Sequence, residues 1–447
     1  MYGQLPQIIV ARGFKLALKI CSIVRLETAF HARYIGKLEL PVVGEISRDT
    51  VVFAGWIHSG IGQTLEEVCL RYNNFTVAVT SVSLSRPDAE TYLKQIGIAS
   101  PTEACGFHGE FGFSLLPSPV TVDVTVREAS GQYFPIYQLT VEHNTELQPR
   151  RFSIRPLLLT TLGRTGSTWL SALLALHPEV VCQTEAEPRL GLYWLSVLSA
   201  VSQPGSFLRK YDALDLSDSQ WWLGGQGVHS GIIRSDDETE RQLGFVSAQR
   251  FSQFVGVELS AHYRAIALRQ GKVPSFFLEK YLPNLYPELM SRVIMDSKEI
   301  FLVRDWRDMV ASIGSYSLKR GMDLFGTTRA AGRSVQIRDQ VDAVEMMRVS
   351  WGQRQDTALL VRYEDLVTDL PGQIERIFRY LQVDTNLATL SLVLENWIGR
   401  SSDFEEHRTT PSLSASIGRW KTDLSPEDGA LASELYHDSL VCFGYET

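Results

Sequence analysis

One stretch of the chain decides its fold: Pro156-Leu-Leu-Leu-Thr-Thr-Leu-Gly-Arg-Thr-Gly-Ser-Thr-Trp169. Its apolar run, Pro156–Thr161, is typical of a short buried strand, and the amphipathic stretch Thr168–Leu176 predicts a helix. Between them lies a turn that contains Gly163 and Gly166. Glycines let a backbone turn closely around an anion, and the N–H groups and dipole of a helix N-terminus supply donors. The stretch therefore predicts a strand, an anion-binding turn and a helix.

The same alternation continues towards the end of the sequence. The apolar runs Ile300–Val303 and Thr357–Val361 are also followed by helix-length stretches. The longer amphipathic stretches are Gly244–Gln270, Arg307–Lys319, Val335–Gln353 and Gln373–Leu381. Short buried strands followed by helices predict an α/β domain over residues 152–447, with a parallel sheet covered on both faces. Ligands of such sheets bind at the carboxyl ends of the strands, and we interpret the polar segment Val201–Gln242 as an insertion over that site.

Residues 36–148 follow a different pattern. Val120, Val122, Val124 and Val126 alternate with polar residues, as in a strand with one buried face. The strand-like runs are Val51–His58, Phe75–Leu84, Phe111–Leu116, Val120–Ala129 and Pro135–His143. They predict a smaller all-β, sandwich-like accessory domain, and we find no catalytic constellation in it.

Residues 1–35 are predicted to be a mainly helical N-terminal segment. The stretch Pro6–Glu27 is apolar but is interrupted every few residues by a basic side chain, which is typical of an amphipathic helix and unlike a signal peptide. We expect this helix to pack on the rest of the protein. Peripheral contact of the helix with a membrane is the alternative, and the predicted activity does not require it. No apolar run in the sequence approaches the ~18–20 residues that cross a bilayer.

The composition excludes some classes of protein. The 447 residues include 43 Lys and Arg against 51 Asp and Glu, a formal net charge of −8, so a protein that coats nucleic acid is excluded. The five cysteines are scattered, without a CxxC pair or a Cys/His cluster, which argues against a zinc site and against a disulfide framework. We therefore expect a cytoplasmic protein. The sequence does not indicate an oligomeric state.

The residues of the glycine turn favour an anion that is not a magnesium-bound triphosphate. Arg164 provides a fixed positive charge, and Thr165, Ser167 and Thr168 add hydroxyl groups. A nucleotide kinase or ATPase would have GxxxxGK[ST], with the Lys on the phosphates and the hydroxyl on magnesium. Here the turn is shorter and its cation precedes the second glycine. A P-loop kinase or NTPase stays as an alternative.

A second cationic position follows the next predicted strand. Ile300–Val303 delivers Arg304 at its carboxyl end, and Ser312 comes eight residues later, about two turns into a helix. Both side chains can face a second phosphate across the same crevice. The alternative is that Arg304 pairs with Asp305 or Asp308 while Ser312 faces solvent.

Taken together, these elements resemble the sulfotransferase superfamily, whose donor is 3′-phosphoadenosine 5′-phosphosulfate (PAPS). Arg164–Thr168 matches the 5′-phosphosulfate loop (K/R)-x-G-(S/T)-T, and Leu302–Ser312 matches the 3′-phosphate element LVRdpRD-x-x-x-S, with Trp306 where Pro is usual. Val361–Val367 and Ser416–Lys421 match two further motifs in the same order. The resemblance extends from residue 152 to the end and leaves out the strand-rich N-terminal part.

The resemblance implies a P-loop-like parallel sheet flanked by helices, the sulfotransferase fold. It also implies a PAPS-dependent O-sulfotransferase that uses PAPS as donor co-substrate and requires no metal. Arg164 would contact the sulfuryl oxygens and is therefore a catalytic as well as a donor-binding candidate. The donor-binding candidates are Arg164, Thr165, Gly166, Ser167, Thr168, Trp169, Arg304, Ser312, Tyr363 and Lys421.

Two further catalytic candidates rest on the same resemblance. Within the superfamily, Arg164–Glu185 is most similar to the tyrosylprotein and bacterial branch, which implies that Glu185 is the general base. Glu187 and His407 remain alternatives for that role. Lys280 is implied to stabilise the leaving oxygen, and a surface salt bridge between Lys280 and Glu279 is the alternative.

The acceptor is less well determined than the donor. We expect a hydroxyl-bearing acceptor, with a carbohydrate or glycolipid favoured over a peptide tyrosine or a small metabolite. Tyr193, Trp194, Trp221 and Trp222 are candidates for stacking on an acceptor ring, although aromatic residues at such spacings also occur in cores. A non-catalytic binding protein on the same fold is the remaining alternative.

Overall fold

The computed structural model describes residues 18–27, 33–46, 50–98, 104–113, 115–143, 147, 149–182, 194, 237–321, 332–400 and 408–447. The chain divides into two compact units. The first, named the all-β unit after its sheets, comprises residues 1–72, 76–147 and 198–251, and the second, the α/β unit, comprises residues 73–75, 148–197 and 252–447. The predicted insertion Val201–Gln242 lies outside the described residues up to position 236. No helix in the described ranges is both long enough and apolar enough to cross a membrane.

The all-β unit consists of two packed sheets. Its strands are β1 (Leu18–Arg25), β2 (Tyr34–Leu40), β3 (Gly44–Ile46), β4 (Thr50–Ser59), β5 (Leu65–Tyr72), β6 (Phe75–Ser81), β7 (Leu84–Ser85), β8 (Ala104–Gly112), β9 (Val120–Glu128) and β10 (Tyr133–His143). The six-stranded sheet has the order β3-β1-β10-β9-β5-β6, and the four-stranded sheet has the order β2-β4-β8-β7. The alternating valines of β9 lie in the core between the sheets, which confirms the predicted sandwich.

The prediction of a helix near the N-terminus is wrong for Leu18–Arg25, which forms strand β1. Leu18 and Ile20 are buried in the sandwich core, and β1 pairs antiparallel with β10, with Leu18 opposite His143. The basic residues at short intervals suggested a helix, whereas pairing with a strand that is distant in sequence decides the local structure. The other residues of the stretch, 1–17 and 28–32, lie outside the described part of the chain.

One helix, α1 (Pro87–Gln95), packs on the four-stranded sheet and was not predicted. Ala89 and Leu93 form a small buried cluster with Trp56 and Cys105. Its local signals were present, because Pro stands in the first turn with acidic residues and Lys94 stands in the last turn. The helix therefore covers part of the outer face of the four-stranded sheet, the face that is turned away from the core between the two sheets.

The α/β unit contains a five-stranded parallel sheet in the order β12-β13-β11-β14-β15. Its strands are β11 (Arg155–Thr161), β12 (Val180–Cys182), β13 (Phe276–Tyr281), β14 (Lys298–Val303) and β15 (Leu359–Arg362). Its helices are α2 (Ser167–Leu174), α3 (Asp237–Arg269), α4 (Tyr286–Val293), α5 (Trp306–Arg320), α6 (Arg333–Asp339), α7 (Val341–Arg354), α8 (Tyr363–Thr368), α9 (Leu370–Leu381), α10 (Leu387–Arg400), α11 (Trp420–Asp423), α12 (Pro426–Leu435) and α13 (His437–Cys442). The predicted parallel sheet is thus confirmed, while the stretch predicted as one helix over Val335–Gln353 is divided between α6 and α7.

Helices cover both faces of this sheet. Along β14, Ile300 and Leu302 face a core that includes residues of α2 and α9, whereas Phe301 and Val303 face a core that includes residues of α5, α7 and α13. Successive strand residues point to opposite faces, so a strand buried on both sides must be apolar at every position. This requirement explains the uninterrupted apolar runs in the sequence. Two buried carboxylates inside the strands, Glu279 and Glu299, are bound by Tyr281 and Arg354 respectively.

Candidate functional site

The candidate site lies where four neighbouring strands end. In the order β13-β11-β14-β15, the strand ends carry or lead into Lys280, the loop 162–166, Arg304 and Tyr363. Because the strands are parallel, their carboxyl ends meet at one edge of the sheet. The structure therefore brings together the first, second and third motifs found in the sequence.

The glycine turn is tightly built. Gly166, which precedes α2, has a φ of 94°, and a Cβ atom there would lie 2.6 Å from Cδ2 of Tyr363. Thr165 donates its hydroxyl to the carbonyl oxygen of Leu162 at 2.9 Å and contacts the hydroxyl of Thr161. The Thr165 side chain thus holds the turn itself, and the turn offers an anion its backbone N–H groups and the start of α2.

Arg164 is held by contacts with α5. Its Nε donates to Oγ of Ser312 at 3.3 Å, and its guanidinium lies 4.1 Å from the ring centroid of Tyr316. Burial lowers the pKa of Arg164 to about 10, and the nearby charges of Arg304 and Arg419 act in the same direction. A lowered arginine pKa means that the positive charge is poorly solvated here, so an anion beside it would be stabilised.

Arg304 is almost completely buried, with 4% of its surface exposed. Its Nη1 donates to the carbonyl oxygen of Arg164 at 3.1 Å, its Nη2 donates to the carbonyl oxygen of Ser416 at 2.6 Å, and its Cζ lies 4.6 Å from the ring centroid of Tyr363. Its buried Nε has no hydrogen-bond partner among the described residues. The guanidinium is therefore bound to neutral groups and keeps its charge available for a ligand.

The alternative interpretation of this element fails at two points. Asp305 caps α5 and accepts hydrogen bonds from the Arg307 side chain, with Nη2 and Oδ2 at 2.8 Å. Ser312, 1% exposed, accepts from Arg164 and does not face solvent. Arg304 and Ser312 accordingly both point towards Arg164.

Tyr363 connects the end of β15 with the glycine turn and the C-terminal segment. Its hydroxyl lies 2.9 Å from Oγ of Ser416, and its ring meets Trp169 edge-on with centroids 5.7 Å apart. Together with the close approach at Gly166, these contacts surround the tyrosine on several sides. The donor-binding candidates Trp169 and Tyr363 therefore form the wall behind the turn.

The segment 416–420 is fastened to α5 by a buried carboxylate. Asp308 is fully buried and accepts hydrogen bonds from the backbone N–H groups of Gly418, at 2.7 Å, and Trp420, at 2.8 Å. Burial raises the pKa of Asp308 to about 6, although both N–H groups and Arg304 oppose this shift. The segment that supplies the Ser416 carbonyl oxygen to Arg304 thus depends on Asp308.

Within the fourth motif, the donor-binding candidate Lys421 is exposed and the nearby Arg419 is buried. Lys421 is exposed, with its Nζ 5.7 Å from the ring centroid of Trp420. Arg419 is buried, donates to Oγ of Ser315 at 2.9 Å and pairs with Asp423 at 2.6 Å. Its charge reaches Arg164 and helps to lower the pKa there. Arg419 is not among the residues predicted from the sequence, where its only signal is its place in the motif.

Lys280 lies beside the glycine turn. Its Nζ donates to Oγ1 of Thr168 at 3.1 Å, across the paired strands β11 and β13. The adjacent Glu279 accepts hydrogen bonds from the hydroxyl groups of Tyr281, at 2.6 Å, and Tyr263, at 3.2 Å. Neighbouring residues of a strand point to opposite faces, so Lys280 faces the turn while Glu279 faces α3.

Several predicted site residues lie outside the described part of the chain. These are Glu185, Glu187, Tyr193, Trp221, Trp222 and His407. Trp194 is described, and its ring packs edge-on against Phe254 with centroids 5.4 Å apart. The choice of general base and the acceptor-stacking role therefore remain predictions.

The chemistry of the site is that of an anion-binding crevice. Three buried or partly buried arginines, Arg164, Arg304 and Arg419, are close enough to affect one another electrostatically. In the described ranges, no group of three or more His, Cys, Asp or Glu side chains is arranged to hold a metal ion. The arrangement can hold an anion with two charged ends, one at the glycine turn and one at Arg304.

Comparison with known proteins gives a family match. The model of the sulfotransferase family matches residues 156–386, which is more than half of the 447 residues. No curated protein sequence matches the chain significantly.

Solved structures show only low overall similarity. Mouse sulfotransferase SULT7A1 complexed with PAP is 13% identical, with 65% of this chain and 85% of that chain covered and a TM-score of 0.37. Sulfotransferase STF9 from Mycobacterium avium is 16% identical, with 66% and 78% covered and a TM-score of 0.33. Retinol dehydratase in complex with androsterone and PAP is 15% identical, with 73% and 91% covered and a TM-score of 0.34.

We expect Gly166→Ala to destabilise the protein because a Cβ atom would force Tyr363 to move. The positive φ alone costs an alanine roughly 1 kcal/mol, and overpacking against the ring adds about 1–3 kcal/mol. The measurement is the free energy of unfolding in urea. Gly271→Ala is the matched control, since Gly271 has a φ of 65° but no other atom within 4 Å of the position that a Cβ atom would take. Equal losses in the two variants would contradict the close approach to Tyr363.

We expect Asp308→Asn to flatten the pH dependence of stability. In the folded protein the pKa of the Asp308 carboxyl group is raised from 3.8 to about 6, so the folded state binds this proton more tightly than the unfolded state does. The free energy of unfolding therefore decreases as the pH rises from about 4 to 6. A shift of about two pKa units corresponds to about 3 kcal/mol. The measurement is the free energy of unfolding in urea at pH 4 and at pH 7. Between these two pH values, the free energy of unfolding of the wild type should fall by about 3 kcal/mol more than that of the variant. Parallel pH profiles would refute the assignment, and the surface variant Asp342→Asn controls for the loss of one carboxylate.

Proposed function

The chain belongs to the sulfotransferase family, and we propose that it transfers a sulfuryl group from PAPS to an acceptor hydroxyl. The observation that carries the proposal is the placement of Arg164 and Arg304 at the tips of adjacent strands, linked by the hydrogen bond from Arg304 to the Arg164 carbonyl oxygen. Two separate cationic positions in one crevice suit a nucleotide that carries charge at both its 5′ and its 3′ position.

The side chains present fit such a donor. The glycine turn, Arg164 and the start of α2 would hold the 5′-phosphosulfate, because backbone N–H groups and a fixed cation converge there. Arg304, with its unpartnered buried Nε, and Ser312 would hold the 3′-phosphate. PAPS would supply the sulfuryl group, and 3′,5′-ADP would leave with the oxygen that had joined the sulfur to its 5′-phosphate.

Lys280 is proposed to stabilise the charge that develops on the leaving oxygen. The contact of its Nζ with Thr168 at 3.1 Å places the ammonium group at the first turn of α2, next to the glycine turn. Sulfuryl transfer is similar to phosphoryl transfer in depending on in-line positioning and charge stabilisation. A cation held at this point therefore lowers the barrier to departure of the nucleotide.

Glu185 is proposed as the base that accepts the proton of the attacking hydroxyl. The support for this role is the resemblance of Arg164–Glu185 to the branch in which a glutamate is the base. A carboxylate within hydrogen-bond reach of the acceptor would increase the nucleophilicity of its oxygen. Glu187 and His407 are the residues to compare with it.

For the acceptor, we propose a hydroxyl group of a carbohydrate or glycolipid. The all-β unit supports this choice, because an accessory sandwich suits an enzyme that handles glycans. Peptide tyrosine and small hydroxylated metabolites are the other acceptors to test. Transfer of labelled sulfate from PAPS to fractions of a cell extract would identify the acceptor directly.

The donor assignment predicts a strong preference for 3′,5′-ADP over ATP with Mg²⁺ in isothermal titration calorimetry. Arg304→Ala should weaken 3′,5′-ADP binding by at least about tenfold, since a charge-assisted hydrogen bond contributes about 1.5–3 kcal/mol. The same variant should weaken 5′-AMP binding by a smaller factor, because 5′-AMP loses only the support that Arg304 gives to the glycine turn and has no 3′-phosphate contact to lose. Preferential binding of ATP with Mg²⁺ would instead support a kinase or NTPase.

The catalytic assignments predict that Lys280→Met and Glu185→Gln each lower kcat by roughly 100-fold or more while the Kd for 3′,5′-ADP changes less than about threefold. The assay is transfer of labelled sulfate from PAPS. Lys298→Met is the control for Lys280→Met, since Lys298 begins β14 at the opposite end of the strands, and Glu187→Gln tests the alternative base. Unchanged kcat in either test variant would remove that residue from the mechanism.

A further inference from the structure

Tyr316 contacts the central cation of the site but belongs to none of the motifs. It lies on α5, one turn after Ser312, and only 8% of its surface is exposed. The Cζ atom of Arg164 is 4.1 Å from its ring centroid. At this distance the positive guanidinium is attracted by the electron-rich face of the ring.

The opposite end of the tyrosine is held as well. Arg320 donates from its Nε to the Tyr316 hydroxyl at 3.0 Å. Ser312, Tyr316 and Arg320 are four residues apart along α5, so they occupy one face of the helix. This face therefore presents a hydroxyl to the Nε of Arg164, an aromatic ring to its Cζ atom, and an arginine that binds the hydroxyl of that ring.

Arg164 needs such support for two reasons. Its backbone has a φ of 66°, an uncommon conformation for a residue with a side chain, so the direction in which the side chain leaves the turn is restricted. Its guanidinium also lies near the positive charges of Arg304 and Arg419, which repel it. The hydrogen bond at Nε holds one edge of the guanidinium, and the contact of Cζ with the face of the Tyr316 ring adds a second point of attachment.

We propose that Tyr316 is a positioning residue that holds the guanidinium plane of Arg164 ready for the 5′-phosphosulfate end of the donor. The proposal rests on the function proposed above, because Arg164 is a donor-binding residue only in that function. It also explains why an arginine stands in the turn. A planar, delocalised guanidinium stacks on a ring over its whole face, whereas the compact ammonium group of a lysine does not.

The test is a double-mutant cycle between Tyr316→Leu and Arg164→Lys, with 3′,5′-ADP binding measured by calorimetry and PAPS turnover by labelled-sulfate transfer. In the Arg164 background, Tyr316→Leu should raise the Kd for 3′,5′-ADP and the KM for PAPS by about threefold to thirtyfold, the range expected for a partly desolvated cation–π contact. In the Arg164→Lys background, the same substitution should change both values less than twofold. Tyr316→Phe retains the ring and should bind the nucleotide within about threefold of the wild type.

Three results would overturn the proposal. If Tyr316→Leu weakens 3′,5′-ADP binding equally with Arg164 and with Arg164→Lys, Tyr316 acts only through packing. If Tyr316→Phe and Tyr316→Leu weaken this binding equally, the hydroxyl matters and the ring does not. Unchanged binding in a folded Tyr316→Leu variant, with folding verified by circular dichroism, would show that the ring does not position Arg164. If the wild type does not bind 3′,5′-ADP, the proposed function itself fails, and this result is distinct because it precedes any comparison of variants.

Discussion

The hydrogen bond from Arg304 to the carbonyl oxygen of Arg164 joins the tips of β14 and β11, and the other parts of the site depend on it. The two strands must be adjacent and parallel for a residue just beyond one to reach the turn that follows the other. The same glycine turn lies against Tyr363, the first residue of α8 after β15, where only a glycine fits. A single long-range contact thereby combines two weakly specific sequence motifs into one crevice.

The crevice keeps its positive charge because its arginines are bound mostly by neutral groups. Arg304 donates to two carbonyl oxygens, and Arg164 contacts a hydroxyl group and an aromatic ring. Two carboxylates nearby bind other groups: Asp308 accepts from two backbone N–H groups, and Glu364 accepts from the N–H of Asp305 and the hydroxyl of Tyr445. Desolvation raises the pKa of both carboxyl groups. Poor solvation of the arginines strengthens their attraction for an anion.

Elements whose structure depends on local backbone geometry and on burial of both faces were predictable. The apolar runs of β11 and β14 became strands of the parallel sheet, and the glycine turn precedes a helix as its residues indicate. Elements whose structure depends on a partner that is distant in the sequence could not be predicted. Strand β1 was mistaken for a helix because its pairing with β10 is not visible in its own residues. The burial of Arg419 and the exposure of Lys421 were not predictable for a similar reason, since the direction of each side chain depends on how Asp308 fastens the segment to α5.

The sequence by itself determined the two types of architecture, the positions of the anion-binding turn and of Arg304, and the sulfotransferase resemblance. These features follow from periodicity, glycine placement and residue type at strand ends, which are properties of short segments. Only the tertiary structure decided that Tyr316 stacks on Arg164, that Arg419 lies inside while Lys421 is exposed, and that Asp308 holds the last segment of the site. The physical reason is that burial and electrostatic contact at these positions arise between segments separated by about 100 residues or more, so they exist only after the sheet and its helices have packed together.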